Sequence, residues 1–132
     1  MIIDSSALIA ILRDEPEAMT CARAIEAASH RRISAANFVE SAIVIDGSRD
    51  PCLGLGDWLD DKLGFFDEIV KTAAGDRIAR EAYRDFGRGS GHPARLNFGG
   101  CFSYALARAT GKPLLFKGDD FAHTDITPAL SE

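Results

Sequence analysis

Residues 95–121 read "RLNFGGCFSYALARATGKPLLFKGDDF", and three elements follow one another within them. "NFGGCFSYALARAT" has the spacing of a helix, stopped by Gly111. "PLLFKG" is a short buried strand, and Asp119 and Asp120 stand at its carboxyl end. A helix delivering the chain into an apolar strand is half of a βαβ unit, so a second such pattern elsewhere decides the fold class.

The N-terminus supplies it. "MIID" (1–4) is an apolar run with β-branched residues, followed by the helical pattern "SSALIAILRDE" (5–15), in which Leu8, Ile11 and Leu12 share a face and Ser5 or Ser6 is available as the N-cap. Pro16 suits the first turn of a second helix over 16–30, with Ala18, Cys21, Ala22 and Ile25 on one face. "RRISAAN" (31–37) reads as strand and turn. "NFVESAIVIDGSRD" (37–50) is a helix with Phe38, Val39, Ala42 and Ile45 inward, ended by Gly47 and Pro51. A short helix anchored by Trp58 and Leu59 (53–64), a strand over 65–70, a helix over 72–87 and the glycine-rich basic loop "GRGSGHPAR" (87–95) follow. "DITPAL" (125–130) is a candidate last strand. Strands alternating with helices predict an α/β fold with a mostly parallel sheet of four to five strands, flanked by helices in three layers.

At 132 residues, the chain is expected to be a single domain over 1–132. Hydrophobic residues at 46% and charged residues at 27% are globular values and exclude a disordered chain. The longest apolar run, "ALIAIL", is far short of the ~20 residues a membrane span needs. "MIIDSS" has no basic segment and so does not read as a secretory signal, which predicts a cytoplasmic location. Cys21, Cys52 and Cys101 are odd in number and widely spaced, and with scattered histidines they offer no zinc site. The net charge of −5 argues against a general nucleic-acid binder. It leaves room for a metal-dependent nuclease, whose carboxylates make the count acidic while a bound cation reverses the local field.

In open parallel sheets, chemistry sits beyond the carboxyl ends of the strands. Asp4 ends the first strand, and Asp119 and Asp120 follow the last. Glu40 lies on an otherwise apolar helix, beside Asn37, Ile43 and Val44 by helical period. Each alone has an ordinary reading, as a cap, a turn or a solvated carboxylate. Together they would hold a hard divalent cation against a phosphodiester.

"MIIDSSALIAIL", "NFVESAIVI", the 95–121 segment and "HTDI" closely resemble PIN-domain ribonucleases, and specifically the VapC toxins of bacterial toxin–antitoxin pairs. The likeness covers essentially the whole chain, in order and spacing. It implies an endoribonuclease dependent on Mg²⁺ or Mn²⁺ that arrests translation, a homodimer, and a cognate VapB-type antitoxin that inserts a segment into the active-site groove. The family's acidic positions map onto Asp4, Glu40, position 100, and either Asp119 or Asp120; Ser6 matches the small polar residue after the first Asp. Family members usually read "NFGDCFSYALA", whereas this chain reads "NFGGCFSYALA". Gly100 therefore replaces an expected acidic ligand. The cost to a helix is roughly 0.5–1 kcal/mol against alanine, so the fold should survive while metal binding and catalysis suffer.

Arg88, His92 and Arg95 are candidates to contact phosphate and Arg13 to line the groove, while Lys117, at a strand end, is the better candidate for a phosphate or carboxylate partner. Phe98, Phe102 and Tyr104 are expected in core or dimer packing, since base stacking needs exposed rings. Leu8, Leu12, Ala18 and Ile25 either pack the core or leave a groove for an antitoxin helix or a second toxin subunit. A phospho-accepting receiver domain also clusters Asp residues in a small α/β unit, but its paired acids after the first strand are lacking here. The stronger alternative is a catalytically dead PIN-like domain that binds antitoxin or RNA.

Overall fold

The computed structural model describes residues 1–47, 68–70 and 73–130. Strands β1 (Ile2–Ile3), β2 (Arg32–Ser34), β3 (Glu68–Val70) and β4 (Leu114–Leu115) form one sheet in the order β3-β2-β1-β4, with every pairing parallel. The helices among the described residues are α1 (Ser5–Leu12), α2 (Ala18–Ala27), α3 (Ala35–Gly47), α4 (Ala73–Phe86) and α5 (Phe98–Thr110). The expected short helix over 53–64 with Trp58 and Leu59, together with Pro51, Cys52 and residues 65–67, lies outside the described residues.

Two residues suffice for β1 because both its flanks are paired. Ile2 N–H donates to Pro113 O at 2.9 Å, Asp4 N–H to Leu115 O at 2.9 Å, and Arg32 N–H to Met1 O at 3.0 Å. Neighbouring side chains on a strand point to opposite faces. Accordingly Ile2 and Leu114 pack with Ala79, Cys101 and Tyr104 of α4 and α5. Ile3, Leu115 and Ile33 pack with Ala7, Leu8 and Ile25 of α1 and α2. Both faces are covered, which is the three-layer α/β arrangement expected from the alternation of strands and helices. No helix among the described residues is long and apolar enough to cross a membrane.

Several boundaries move from their sequence-based positions. Helix α1 ends at Leu12, since Arg13 caps it and Asp14 takes a left-handed φ of 50° ahead of Pro16. Its N-cap is Asp4, not Ser5 or Ser6. Helix α3 begins at Ala35, because the Ser34 hydroxyl accepts from Asn37 N–H at 3.0 Å. Val39 on α3 points outward, 54% exposed. The expected strand over 125–130 shrinks to a single parallel bridge between Leu114 and Pro128, whose ring nitrogen has no hydrogen to extend a ladder. This tail is anchored through Asp125, which accepts from the Tyr104 hydroxyl at 2.7 Å and pairs with Arg108.

Gly111 ends α5 at φ 61°, in the left-handed region, and donates its N–H back to Ala107 O. An L side chain there costs roughly 1–2 kcal/mol. Gly111→Ala is therefore expected to lower the urea midpoint by that amount of stability at unchanged m-value.

Candidate active site

Three helix starts meet at the carboxyl edge of the sheet, each capped by a side chain. Asp4 caps α1: its Oδ2 accepts from Ser6 N–H at 2.9 Å. A carboxylate is favoured there by the free N–H groups and the positive end of the helix dipole. The other oxygen, Oδ1, accepts from the hydroxyl of Ser103 on α5 at 2.5 Å. Asp4 is 4% exposed and Ser103 fully buried, so this acid is held from two elements at once.

Glu40 is half-buried on α3, one turn after Asn37. Its Oε2 accepts from the hydroxyl of Ser5, the residue next to Asp4, at 2.6 Å. Asn37 Nδ2 stands 3.5 Å from the same oxygen and donates to Gly99 O at 3.0 Å. Asn37 itself is completely buried, bonded to the Ser34 hydroxyl, while its carbonyl accepts from Ser41 at 2.8 Å. One side chain thus joins the end of β2, the Glu40 turn of α3 and the first turn of α5.

That first turn carries the glycine pair. Asn97 caps α5 by accepting from Gly100 N–H at 2.7 Å. Gly100 is buried, and a Cβ there would lie 3.2 Å from Asn97 Oδ1, 3.5 Å from Phe121 and 3.6 Å from Leu96. An aspartate fits with a small yield of the Asn97 amide. Asp119 and Asp120 follow β4 on exposed positions. Their segment is tied to α1 where Lys117 N–H donates to the Ser6 hydroxyl at 3.0 Å, which gives Ser6 a positioning contact. Among the described residues, no three of His, Cys, Asp and Glu gather closely enough to hold an ion. Asp4 and Glu40 are hard oxygen donors, and Ser5, next to Asp4 in the chain, bonds Glu40; two such donors fit a divalent cation that keeps most of its waters. Gly100 offers no donor.

Residues 1–126 match the family model of the PIN domain. The chain is 53% identical to ribonuclease VapC28 of Mycobacterium tuberculosis over 131 residues, 98% of each chain. It is 50% identical to ribonuclease VapC42 of the same organism over 132 residues, 99% of this chain and 100% of the relative. This chain belongs to the PIN-domain family of VapC ribonucleases.

Other candidates of this VapC-family chain are placed less centrally. Lys117 Nζ is engaged by Glu15 and, at 3.3 Å, by Glu17, so its partners are carboxylates of the α1–α2 connection. The bond to Glu15 raises its ammonium pKa above the ordinary value. His92 turns inward, accepting from Ala94 N–H at 3.2 Å and meeting Phe86 edge-on. Arg13, Arg88 and Arg95 are exposed. Leu8, Ala18 and Ile25 are buried in the core, and Leu12 is half-buried. Cys21 and Cys101 are free and buried, and burial pushes the Cys101 thiol up to about 11, an inert thiol.

Phe98, expected in core or dimer packing, is not in the core: it is 73% exposed. With Val39 and Ile43, exposed by 54% and 66%, it borders a groove of about 600 Å³ that also reaches Val44, Glu40 and Gly99. Phe102 is half-buried and Tyr104 buried in the core beneath α4. Sequence reasoning singled out neither Ser5, Ser103 nor Gly99 as a site residue. The available signals were the adjacency of Ser5 to Asp4 and the i, i+4 spacing of Gly99 and Ser103 on one helix face.

Proposed function

We propose that this single PIN-type domain is the toxin of a VapBC-type toxin–antitoxin pair, a divalent-metal-dependent endoribonuclease whose activity is impaired by Gly100. The observation that carries this reading is that Asp4, ending β1, and Glu40, on α3, are both fixed by hydrogen bonds at the carboxyl edge of the sheet, with Ser5, the residue next to Asp4, donating to Glu40. Asp4 and Glu40 would hold Mg²⁺ or Mn²⁺, with Asp119 or Asp120 approaching from the β4 turn. When bound there, a cation would supply Lewis-acid polarisation of the scissile phosphate and a more acidic bound water. The protein's own part is positioning: Ser103 and Ser6 N–H fix Asp4, and Ser5 and Asn37 fix Glu40. Arg88 and Arg95 on the exposed loop before α5 are suited to phosphate oxygens of the RNA. The test is cleavage of an RNA panel with Mg²⁺ and Mn²⁺ by the chain and its Gly100→Asp variant.

The second reading, a catalytically dead domain that binds antitoxin or RNA, is favoured by one observation: the buried position 100 carries no ligand. It predicts that both chains are folded and inert.

The partners follow from the same site. The apolar rim of Val39, Ile43 and Phe98 beside Glu40 supports a homodimer, since monomers rarely leave large hydrophobic side chains grouped in water. Ile43→Glu is expected to shift sedimentation from dimer to monomer at micromolar concentration, with the melting profile of the fold retained. A VapB-type antitoxin reaching into the groove would shield Glu40. Toxin and antitoxin would meet in the cytoplasm.

A further inference from the structure

We propose that Gly99, together with Ser5 and Asn37, forms a cradle that positions the Glu40 carboxylate, so that the missing side chain at 99 serves the site and not the backbone. The inference rests on the nuclease reading and adds positioning residues to it. Gly99 lies inside the first turn of α5, and its φ is not in the left-handed region that requires glycine. A helix interior disfavours glycine, so the local conformation gives no reason for it. Space does. A Cβ at 99 would find the Glu40 carboxylate as its three nearest neighbours, with Cδ and Oε1 at 2.6 Å and Oε2 closer still. The obstruction is the far end of a flexible side chain. An alanine would therefore displace Glu40 rather than break the helix.

The remaining walls of the cradle are polar. Ser5 donates to Glu40 Oε2 at 2.6 Å, and Asn37 Nδ2 stands 3.5 Å from that oxygen while holding Gly99 O at 3.0 Å. The contact between Asn37 and the Gly99 carbonyl fixes the α5 backbone at the distance the carboxylate needs. A residue that acts in this way leaves a specific signature: the penalty of substituting it, beyond the helix preference for alanine, is present only with Glu40.

A double-mutant cycle tests it, with melting temperature read in the chain as it stands and Mn²⁺ affinity read by calorimetry in the Gly100→Asp background. Gly99→Ala is expected to affect the melting temperature less favourably in the presence of Glu40 than in Glu40→Ala, by about 3 °C or more. It is expected to weaken Mn²⁺ about tenfold, the scale of outer-shell positioning effects, and to add nothing in Glu40→Ala. Ser5→Ala, which removes only a hydroxyl, is expected to weaken Mn²⁺ in the same direction and guards against a poorly folded Gly99 variant. Equal thermal effects in both backgrounds would overturn the cradle. Unequal thermal effects with unchanged Mn²⁺ affinity would overturn its positioning role. A Gly100→Asp chain that folds and takes up no Mn²⁺ would instead remove the nuclease reading itself, while the thermal cycle still decides whether Gly99 and Glu40 share the space.

Discussion

Gly100→Asp is expected to raise Mg²⁺- or Mn²⁺-dependent RNA cleavage at least about 100-fold over the parent chain. Loss of a partner one shell out from a metal typically costs about 10–100-fold, and a direct anionic ligand should matter at least as much. The position suits a carboxylate. It is the third residue of α5, and negative charge in the first turn is favoured by roughly 0.3–1 kcal/mol. The Cβ contact with Asn97 Oδ1 at 3.2 Å acts in the opposite direction, so overall stability should stay within about 1 kcal/mol of the parent. Initial rates on labelled RNA, with and without EDTA, measure the gain. Inert but folded variants on a broad RNA panel would move the dead-domain reading ahead.

The second large effect concerns Asp4. In the Gly100→Asp background, Asp4→Asn is expected to return cleavage to the parent level, again a loss of about 100-fold or more. The substitution keeps shape and one acceptor, so α1 retains its cap from Ser6 N–H. The amide removes the charge a cation needs, and the Ser103 hydroxyl must reorient to accept instead of donate. Stability should fall by only about 1 kcal/mol. Asp4→Ala is the harsher change, at roughly 1–3 kcal/mol, because buried Ser103 loses its acceptor altogether. Melting curves run beside the cleavage assay separate the two effects. An Asp4→Asn chain that still cleaves would exclude Asp4 as a ligand.

Much of this was legible because the signals are local. The apolar run of β1, the α2 face of Cys21 and Ile25, and the left-handed stop at Gly111 each depend on residues a few positions apart. The placement of Asp4 just after β1 follows equally from chain order, since a residue after a buried strand must emerge at the sheet edge. The misplaced features arise from competition between neighbours. Asp4 outcompeted Ser5 and Ser6 for the α1 cap, since the helix already begins at Ser5. Val39 looks like a core residue in sequence, yet it occupies the outer face of α3, and Phe98, expected in core or dimer packing, lies on the outer face of α5.

By itself, then, the sequence determined the order of strands and helices and the acids Asp4, Asp119 and Asp120 after strands. Periodicity and backbone chemistry encode such things over a few residues. Only the tertiary structure decided that Ser103, 99 residues along the chain from Asp4, holds that carboxylate, and that Gly99 leaves the space Glu40 occupies. Contacts of that kind form where separate helices converge on one sheet edge, and no local pattern records which side chains will meet there.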